Sequence, residues 1–357
     1  MQSKHLKYIS AYSVPAFVAF SIYMRGGFSF SAFVFVFLIV PVMDLITKVD
    51  TSNMTAIEEE IAKDDPIYDY LLYLLVPVHC MILVYFLYSV SDVSLAMYEK
   101  IGMITAYGMA CGLAINNAHE LGHRNTKFEQ SLSKLLLMTS LYMHFFIEHN
   151  RGHHLQVATD EDPASSRKGE SVYAFYIRTI TGSWLSAWKL EKKRLVKAGH
   201  HTVSMSNEMI IFQLIQLSLL LLIGIAIGGY VLLYFIIGAF IGIIMLETVN
   251  YIEHYGLRRE KKGKRYERTL PIHSWNSSHP FGRLIMLELS RHSDHHYIAN
   301  RKYQLLRHHE ESPQMPTGYP GMMLLSLVPP LWFSIMHKRI DDYKYMFERN
   351  PQQESID

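Results

Sequence analysis

Long apolar runs are the feature that most constrains how this chain can fold. A helix needs about 20 apolar residues to cross the hydrocarbon layer of a membrane, which is roughly 30 Å thick. Six stretches of the sequence reach or nearly reach that length, at residues 7–24, 28–46, 67–90, 98–118, 209–228 and 230–251. The sequence therefore predicts an all-α, polytopic membrane protein with six transmembrane helices.

The composition also favours a membrane protein. Half of the 357 residues are hydrophobic and 18% are charged, whereas soluble domains carry about a quarter of charged residues. The net charge of +2 is too small to favour nucleic acid as a partner. Cys80 and Cys111 lie inside apolar runs without a CxxC spacing, which excludes a disulfide framework and a thiolate metal site. Lys4 and Lys7 precede the first apolar stretch, and no small-residue cleavage site follows, so we expect a retained helix and not a signal peptide.

Short breaks divide the apolar sequence into its helices. The first two predicted spans are joined by residues 25–27, and the last two are divided at residues 228–229, both rich in glycine. Such breaks are typical of tight turns. The stretch 131–147 is apolar but contains Lys134 and His144, so we expect a buried or interfacial helix there and not a span.

The positive charges orient these helices. Of the 34 lysines and arginines, 32 fall in the amino terminus, in 47–66, in 119–208 or in 252–357. The two exceptions are Arg25 and Lys100. Because loops rich in these residues stay cytoplasmic, we expect a protein of the cytoplasmic (inner) membrane with both termini inside. The two long segments then form one cytoplasmic, histidine-rich helical cap that carries the active site. No repeat or linker divides the chain, so we predict a single integral-membrane domain over 1–357.

The 19 histidines are concentrated in these two segments. Three boxes, HELGH (119–123), HNRGHH (149–154) and HSDHH (292–296), are accompanied by the string NYIEHYG (250–256) at the end of the last span. Helical residues three or four apart share a face, so each box aims two imidazoles at one point. Imidazole suits iron, copper, zinc and nickel. With His254 the boxes hold nine histidines, too many for one metal, and they predict two metals with four or five ligands each.

Four carboxylates lie beside these histidines in the sequence, namely Glu120, Glu148, Glu253 and Asp294. Metal-bound histidines usually donate their second N–H to such a group, although the same carboxylates could instead ligate or bridge the metals. By contrast, His79 and His144 lie on apolar faces and are expected to be packing residues. We expect the pairs 200–201 and 308–309, in polar segments, to lie at the surface.

Two other functions have to be weighed against a two-metal enzyme. HELGH fits the HExxH pattern of zinc metalloproteases, in which two histidines bind zinc and the glutamate is the general base. Such a site needs one further ligand, and not seven more histidines, six in the two other boxes and His254. A metal transporter should hold its ligands near the centre of the bilayer, whereas these histidines crowd onto one side.

Several strings around the boxes closely resemble the alkane 1-monooxygenase family. They follow the family's order from about residue 116 to residue 340, and the six-span layout is also similar. The matching strings are NNAHELGHR (116–124), EHNRGHHLQVATDEDPASSRKGE (148–170), NYIEHYGLRR (250–259), HSWNSSH (273–279), LSRHSDHHYIANRKYQLLRH (289–308) and PTGYPGMMLLSLVPPLWFSIM (316–336).

The resemblance implies a non-haem di-iron enzyme that inserts one oxygen atom of O2 into a terminal C–H bond of a medium-chain n-alkane. The products would be a primary alcohol and water, and the cofactor would be two Fe ions. His273, Asn276 and His279, with Trp275, match a family string near the site, and we expect them to support the site or lie near the substrate without binding metal. The metal ligands that the resemblance implies are His119, His123, His149, His153, His154, His254, His292, His295 and His296.

The resemblance also implies rubredoxin as the electron donor, together with its NAD(P)H-dependent reductase. A rubredoxin iron needs four cysteines, whereas this chain has two, and it has no dinucleotide-binding fingerprint. The donor must therefore be a separate protein that docks on the cytoplasmic face. We interpret the basic run RREKKGKRYER (258–268) first as a contact for anionic membrane lipids and second as a docking site for an acidic redox partner.

Substrate selectivity should depend on the shape of an apolar pocket, because an alkane has no group that can form a hydrogen bond. We expect a tube between the spans, open to lipid, whose far end is closed by bulky side chains. The alternative substrate class is the methyl group of alkyl-aromatic compounds such as xylene, while the contexts of the boxes do not fit a membrane desaturase. The candidates for closing the tube, which lipid-facing packing explains equally well, are Phe28, Phe30, Phe33, Phe35 and Phe37.

Overall fold

The chain folds almost entirely into helices, as the sequence predicts. The computed structural model describes residues 4–349, and of 344–349 only the backbone. Short 3-10 segments cover Lys4–Tyr12, Gly26–Phe30, Pro271–His273 and Tyr303–Leu305, and π-helical segments cover Phe35–Ile39 and His149–His153. The strands β1 (Lys261–Lys262) and β2 (Arg265–Tyr266) form an antiparallel hairpin in which Lys261 lies opposite Tyr266. The α-helices are α1 (Ser13–Met24), α2 (Ser31–Val34), α3 (Val40–Ile46), α4 (Ala56–Asp64), α5 (Pro66–Val90), α6 (Met97–Gly122), α7 (Lys127–Thr139), α8 (Phe145–Glu148), α9 (His154–Gln156), α10 (Val172–Lys197), α11 (Glu208–Ala226), α12 (Gly229–His254), α13 (Pro280–Ile285), α14 (His292–Tyr297), α15 (Tyr319–Ser326) and α16 (Pro329–Arg349).

Four helical segments are long and apolar enough to cross a membrane, which supports an integral membrane protein. They correspond to the second, third, fifth and sixth predicted spans. The first and fourth predicted spans are also helical, but one is divided between a 3-10 segment and α1, and the other lies in α6, whose glycines and asparagines lower its hydropathy. Six spans therefore stay a prediction. Within residues 4–349, the four segments that meet the criteria of length and composition are Gly26–Ile46, Pro66–Val90, Glu208–Ala226 and Gly229–His254.

The turns between the apolar helices lie where the sequence predicts them. Arg25 (φ 56°) and Gly26 (φ 54°) break the helix between the first two segments, and Gly228 (φ 130°) separates α11 from α12. Glycine adopts such left-handed conformations without a steric penalty. The first turn is also tied to the start of α6, because Glu99 accepts a hydrogen bond from the N–H of Gly26 at 2.7 Å.

Helices α6 and α12 pack closely against each other, and both end in histidines. A side chain at Gly108 would collide with Ile241, and one at Gly242 would collide with Cys111. Small residues of this kind let helix backbones approach each other within a membrane. Because α6 ends in the HELGH box and α12 ends at His254, the close contact brings two histidine-bearing ends together.

The apolar stretch 131–147 is buried, as predicted, but it is not one helix. It covers most of α7, a turn at 140–144 and the start of α8. Leu141 in the turn has a left-handed conformation (φ 54°), and the hydroxyl of Tyr142 donates to Glu247 of α12 at 2.7 Å. The break redirects the chain into the second histidine box.

Two buried carboxylates tie the carboxyl-terminal part of the chain to the amino-terminal part. Asp44 of α3 accepts hydrogen bonds from the backbone N–H groups of Phe281 (2.9 Å) and Gly282 (3.1 Å), at the start of α13. Glu288 accepts a hydrogen bond from the hydroxyl of Tyr8 at 2.9 Å. These contacts fix the turn that leads into the third histidine box.

Candidate metal centre

Nine histidine side chains converge in two groups beyond the ends of α6 and α12. Within each group, one ring nitrogen from every histidine lies within 4.8 Å of all the others. Every member was among the candidate ligands of the sequence. The first group is His119, His123, His149, His154 and His295, and the second is His153, His254, His292 and His296.

The spacing of the ring nitrogens fits metal coordination. In the first group, Nε2 of His119 lies 2.9 Å from Nε2 of His295, and in the second, Nε2 of His292 lies 3.2 Å from Nε2 of His254. Two ligand nitrogens about 2.1 Å from a shared metal ion, and about 90° apart, lie about 3.0 Å from each other. The lone pairs of each group are therefore arranged as the ligands of one ion would be.

Regular helices supply the first and third boxes. His119 and His123, one turn apart at the end of α6, belong to the same group, as the i, i+4 spacing predicts. In α14, His292 and His296 have the same spacing and share the second group, while His295 points to the first. The third box thus contributes to both groups.

The second box departs from the predicted geometry because it is wound as a π-helix. The N–H of His154 bonds to the carbonyl of His149, five residues earlier. His149 therefore shares a group with His154, and His153 belongs to the other group. The prediction that His149 and His153 point at one metal was wrong. The π-helix, a rare conformation that is common at functional sites, lets one short segment contribute to both groups.

Burial favours the neutral form of the imidazoles in the first group. Removal from water lowers the pKa of His149, His154 and His295 well below the usual value, and neighbouring imidazoles lower it further. Burial, with nearby positive charge, lowers the pKa of His123 to about 3. A neutral imidazole offers the lone pair that a metal ion needs. The groups are therefore suited to hold metal ions in place of protons.

Asp162 belongs to this centre, although the sequence analysis missed it. Its Oδ2 lies 2.9 Å from Nδ1 of His153 and accepts a hydrogen bond from the hydroxyl of Ser165 at 2.5 Å. Burial opposes the charge, but His153 and these hydrogen bonds hold the pKa of Asp162 below its usual value. A carboxylate on Nδ1 fixes the tautomer so that Nε2 can face a metal. The string DEDP contained it, but nothing there distinguished Asp162 from Asp160.

Glu253 is the predicted carboxylate that reaches a histidine group directly. Its Oε2 lies 3.2 Å from Nε2 of His292, which is about the separation between the ligand nitrogens themselves. The carboxylate is buried and also lies beside the buried hydroxyl of Tyr319. Glu253 is therefore positioned either to accept a hydrogen bond at the four-histidine group or to complete its ligands.

Glu148 lies against the π-helix and not on an imidazole N–H. A Cβ at Gly152 would come within 2.7 Å of its Oε1, and that oxygen has no hydrogen-bond partner in the described chain. Burial and the nearby carboxylates of Asp162 and Glu247 raise the pKa of Glu148 well above its usual value. Its surroundings thus favour the protonated form of this carboxyl.

An apolar cavity lies between the apolar helices and the segments that carry the histidines. At one end it is lined by Val14 and Val36, from the first two apolar segments. It is also lined by Asn116, Val249 and Leu289, which precede ligand candidates by three to five residues on α6, on α12 and before α14. The cavity therefore offers space for an apolar chain between the apolar helices, with residues near the histidines in its wall.

Known proteins are similar to this chain over most of its length. A family model described as fatty acid desaturase matches residues 100–339. The chain is 40% identical over 307 residues to the alkane 1-monooxygenase of Acinetobacter baylyi, which covers 86% of this chain and 75% of that protein. It is 37% identical over 331 residues to alkane 1-monooxygenase 2 of Alcanivorax borkumensis, covering 92% of this chain and 87% of that protein. The chain belongs to the alkane 1-monooxygenase family.

Membership of this family confirms the predicted enzyme class, a monooxygenase and hence an oxidoreductase. The region matched by the family model contains all nine histidines. The hydroxylase component of a xylene/toluene monooxygenase from Pseudomonas putida is 31% identical over 221 residues, or 62% of this chain. The xylene-type alternative is therefore the more distant one.

The two remaining carboxylate candidates of this monooxygenase pair with side chains that are not among the nine histidines. Glu120 pairs with Arg124 (Oε1–Nη2 2.7 Å), and Asp294 pairs with Arg301 and His309, each at 2.7 Å. No described contact joins either carboxylate to a ligand candidate, so the expected hydrogen bond to a metal-bound imidazole is missing. The pairing of Glu120 also argues against a zinc protease, whose glutamate must activate water.

The segment 273–279 contacts the segments that carry His254 and the third box. The indole N–H of Trp275 donates to the carbonyl of Tyr255 at 2.9 Å, directly after His254. Asn276 accepts a hydrogen bond from the hydroxyl of Ser293 at 3.2 Å, inside the third box.

The two histidines of this segment have local partners instead of metal-binding ones. His273 lies 3.1 Å from Glu267, and His279 lies 3.0 Å from the hydroxyl of Ser277. They lie outside both groups.

The other histidines follow the sequence prediction with one exception. His79 and His144 are buried outside the two groups, and the pair 200–201 is exposed. The pair 308–309 was predicted to lie at the surface, but both residues are half-buried. The prediction failed because the acidic partner that draws His309 inward is Asp294, which is distant in sequence.

The phenylalanines predicted to close the cavity do not line it. Phe28 and Phe33 are exposed on the outside of the second apolar segment, and Phe35 stacks on Phe17 with ring centroids 4.1 Å apart. Val36 faces the cavity instead. The positions of these phenylalanines therefore agree with the alternative explanation, packing toward lipid and between helices.

Proposed function

We propose that this enzyme hydroxylates medium-chain n-alkanes at the terminal carbon, with O2 as the oxidant and two Fe ions as the cofactor. The products are a primary alcohol and water. The observation that carries the proposal is the pair of histidine groups at one end of an apolar cavity. The alkane substrate is supported by the relatives, which are alkane 1-monooxygenases.

The nine histidines would hold the two irons, five on one and four on the other, with Glu253 available at the second. Bound iron would supply the redox chemistry that activates O2 and attacks an unreactive C–H bond. Asp162 orients His153 by accepting its Nδ1–H. The apolar cavity excludes water and aligns the alkane, and its shape must set the preferred chain length because a methylene contributes only about 1–3 kcal/mol of discrimination.

We further propose that residues 1–357 form one integral-membrane domain of the cytoplasmic membrane. Six spans result if 7–24 and 98–118 cross together with the four apolar helices. An even number of spans, with the lysine and arginine distribution described above, would put both termini and the catalytic segments 119–208 and 252–357 in the cytoplasm.

We assign rubredoxin, a separate chain, as the electron donor, and the surface over His154 as its docking site. Leu155, the next residue, is 72% exposed. The basic hairpin lies beside it, because Arg259 donates through Nη2 to the carbonyl of Leu155 at 2.7 Å. The exposed Lys261 and Lys262 on this hairpin would attract an acidic protein and increase its rate of association.

Charge reversal tests this docking site. The double variant Lys261→Glu, Lys262→Glu should raise KM for rubredoxin, most strongly at low salt, and leave KM for the alkane unchanged. The control is Lys192→Glu, Lys193→Glu, two exposed lysines on α10. An unchanged KM for rubredoxin in the hairpin variant would leave the hairpin as a contact for lipid headgroups.

Metal content and product identity test the whole proposal. The full chain, purified in detergent, should carry about two irons and, with a rubredoxin–reductase couple, O2 and octane, should form 1-octanol. Two irons without 1-octanol would refute the alkane substrate, and xylene, suggested by the more distant relative, would be tried next. One zinc and no iron would overturn the oxygenase proposal.

A further inference from the structure

One side chain of the cavity is polar, although the proposed substrate is not. Among the lining residues, Asn116 alone carries a hydrogen-bonding side chain. It is 7% exposed. An alkane cannot form a hydrogen bond, and a buried polar group without a partner is destabilising. Alkane binding alone therefore does not explain why an amide stands in this wall.

The orientation of this amide is fixed by its neighbour. Nδ2 of Asn116 donates to the backbone carbonyl of Met286 at 3.0 Å, and the reversed amide would put two acceptors against each other. Oδ1 is therefore the free end of the side chain. No residue in the described chain donates a hydrogen bond to it. The cavity thus contains an acceptor that only a donor can satisfy.

The acceptor stands at the histidine end of the cavity. Asn116 lies three residues before His119 and on the same face of α6, so the two Cα atoms differ by about 4.5 Å along the helix axis. The proposed reaction needs the terminal carbon of the alkane at this end. The hydroxyl group that the reaction creates would therefore appear close to Oδ1.

We propose that Asn116 Oδ1 accepts a hydrogen bond from the hydroxyl of a primary alcohol, so that the cavity is also a binding site for medium-chain primary alcohols. This inference rests on the proposed function, because the alcohol is its product. The amide makes the alcohol a ligand in its own right, bound by its O–H as well as by its alkyl chain. The alcohol then competes with the alkane until it leaves.

A pair of matched ligands tests the inference without a variant. 1-Octanol and 1-methoxyheptane have the same number of non-hydrogen atoms, but only the alcohol can donate to Oδ1. In thermal unfolding of the purified full chain, without electron donor, 1-octanol should raise Tm at lower concentrations than the ether, with a Kd about 2- to 10-fold smaller. Equal Kd values would overturn the proposal.

The variant Asn116→Leu removes the acceptor at similar volume. It should abolish the advantage of 1-octanol over the ether while the Kd of the ether stays within about twofold. Leu113→Met, another change in the same wall, is the control and should keep the advantage. An advantage that persists in Asn116→Leu would also overturn the proposal, and if that variant does not fold, the comparison of ligands on the unaltered protein still decides.

These measurements need no turnover. Alcohol binding that is selective over the ether, in a protein that does not hydroxylate octane, would refute the proposed substrate and keep the alcohol site. Hydroxylation of octane without selective alcohol binding would refute the alcohol site and keep the proposed substrate.

Discussion

Neutralising Asp162 should weaken metal binding at the four-histidine group. Its carboxylate lies 2.9 Å from Nδ1 of His153 and is held by the hydroxyl of Ser165 (2.5 Å) and the N–H of Ala164 (3.1 Å). Asp162→Asn keeps the size of the side chain but removes the charge that favours the Nδ1–H tautomer. The loss of such a partner typically costs about 10- to 100-fold in metal affinity, or about 1.4–2.8 kcal/mol.

Iron retention against a chelator measures this effect directly. The purified protein would be dialysed against increasing chelator concentrations and its iron counted per chain. Asp162→Asn should lose about one iron at a chelator concentration about 10- to 100-fold lower than the unaltered protein requires, and retain the other on the five-histidine group. Asp160→Asn is the matched control, because the side chain of Asp160 is 78% exposed and pairs only with Arg258, at 3.6 Å.

Two results would refute this reasoning. If Asp162→Asn kept both irons at the same chelator concentration as the unaltered protein, the contact with His153 would contribute nothing to metal binding. If it lost both irons together, the two groups would not be the independent sites that their separate ligand sets indicate.

Other contacts around the centre give measurable effects. Tyr8→Phe removes the donor to buried Glu288 and should lower the free energy of unfolding by about 1–3 kcal/mol; an unchanged denaturation midpoint would contradict this. Glu253→Gln should speed iron loss if the carboxylate serves the four-histidine group, and unchanged retention and kinetics would leave it a helix-end residue. Val36→Phe should fill part of the cavity and shift the product profile toward shorter alkanes, whereas Phe33→Leu, on the exposed face, should leave the profile as it was.

The clustering of the nine histidines could be predicted because it depends on residue type, whereas their division into two groups could not. Nine histidines on an apolar background are conspicuous whatever the backbone does. Their grouping depends on whether the segment after Glu148 forms an α-helix, with hydrogen bonds four residues back, or a π-helix, with hydrogen bonds five residues back. That choice is made by packing: a Cβ at Gly152 would meet the carboxylate of Glu148, and also Leu190 of α10. The spacing of the histidines in the sequence cannot predict that Leu190 packs against Gly152.

Proximity in sequence was also a poor guide to the partners of the ligands. Glu120 follows His119 directly, yet it pairs with Arg124 one turn further along. Asp162 is nine residues from His153 and contacts it. On a helix, adjacent residues point in directions about 100° apart, so the neighbour of a ligand is usually turned away from the metal. A carboxylate that reaches Nδ1 must come from another segment.

Hydropathy identified the apolar helices that face lipid more readily than α6. The glycines that let α6 approach α12 lower its hydropathy, and Asn116 and Asn117 lower it further near the histidines. Helix α6, which ends in the first histidine box, is therefore less apolar than the four helices that are long and apolar enough to cross a membrane. Residues that allow close packing lower the hydropathy of a helix. Spans at the middle of a bundle are therefore the hardest to identify from sequence.

The two π-helical segments of the described chain lie at the cavity wall and at the second histidine box. Val36, on the cavity wall, lies in the π-helical segment Phe35–Ile39, and the second box is the π-helical segment His149–His153. Each π turn contains one residue more than an α turn and so changes which side chains share a face. Such turns persist only where tertiary contacts hold them. Substitutions that relax either segment toward a regular α-helix should therefore preserve helix content while rotating a cavity residue or a ligand out of position.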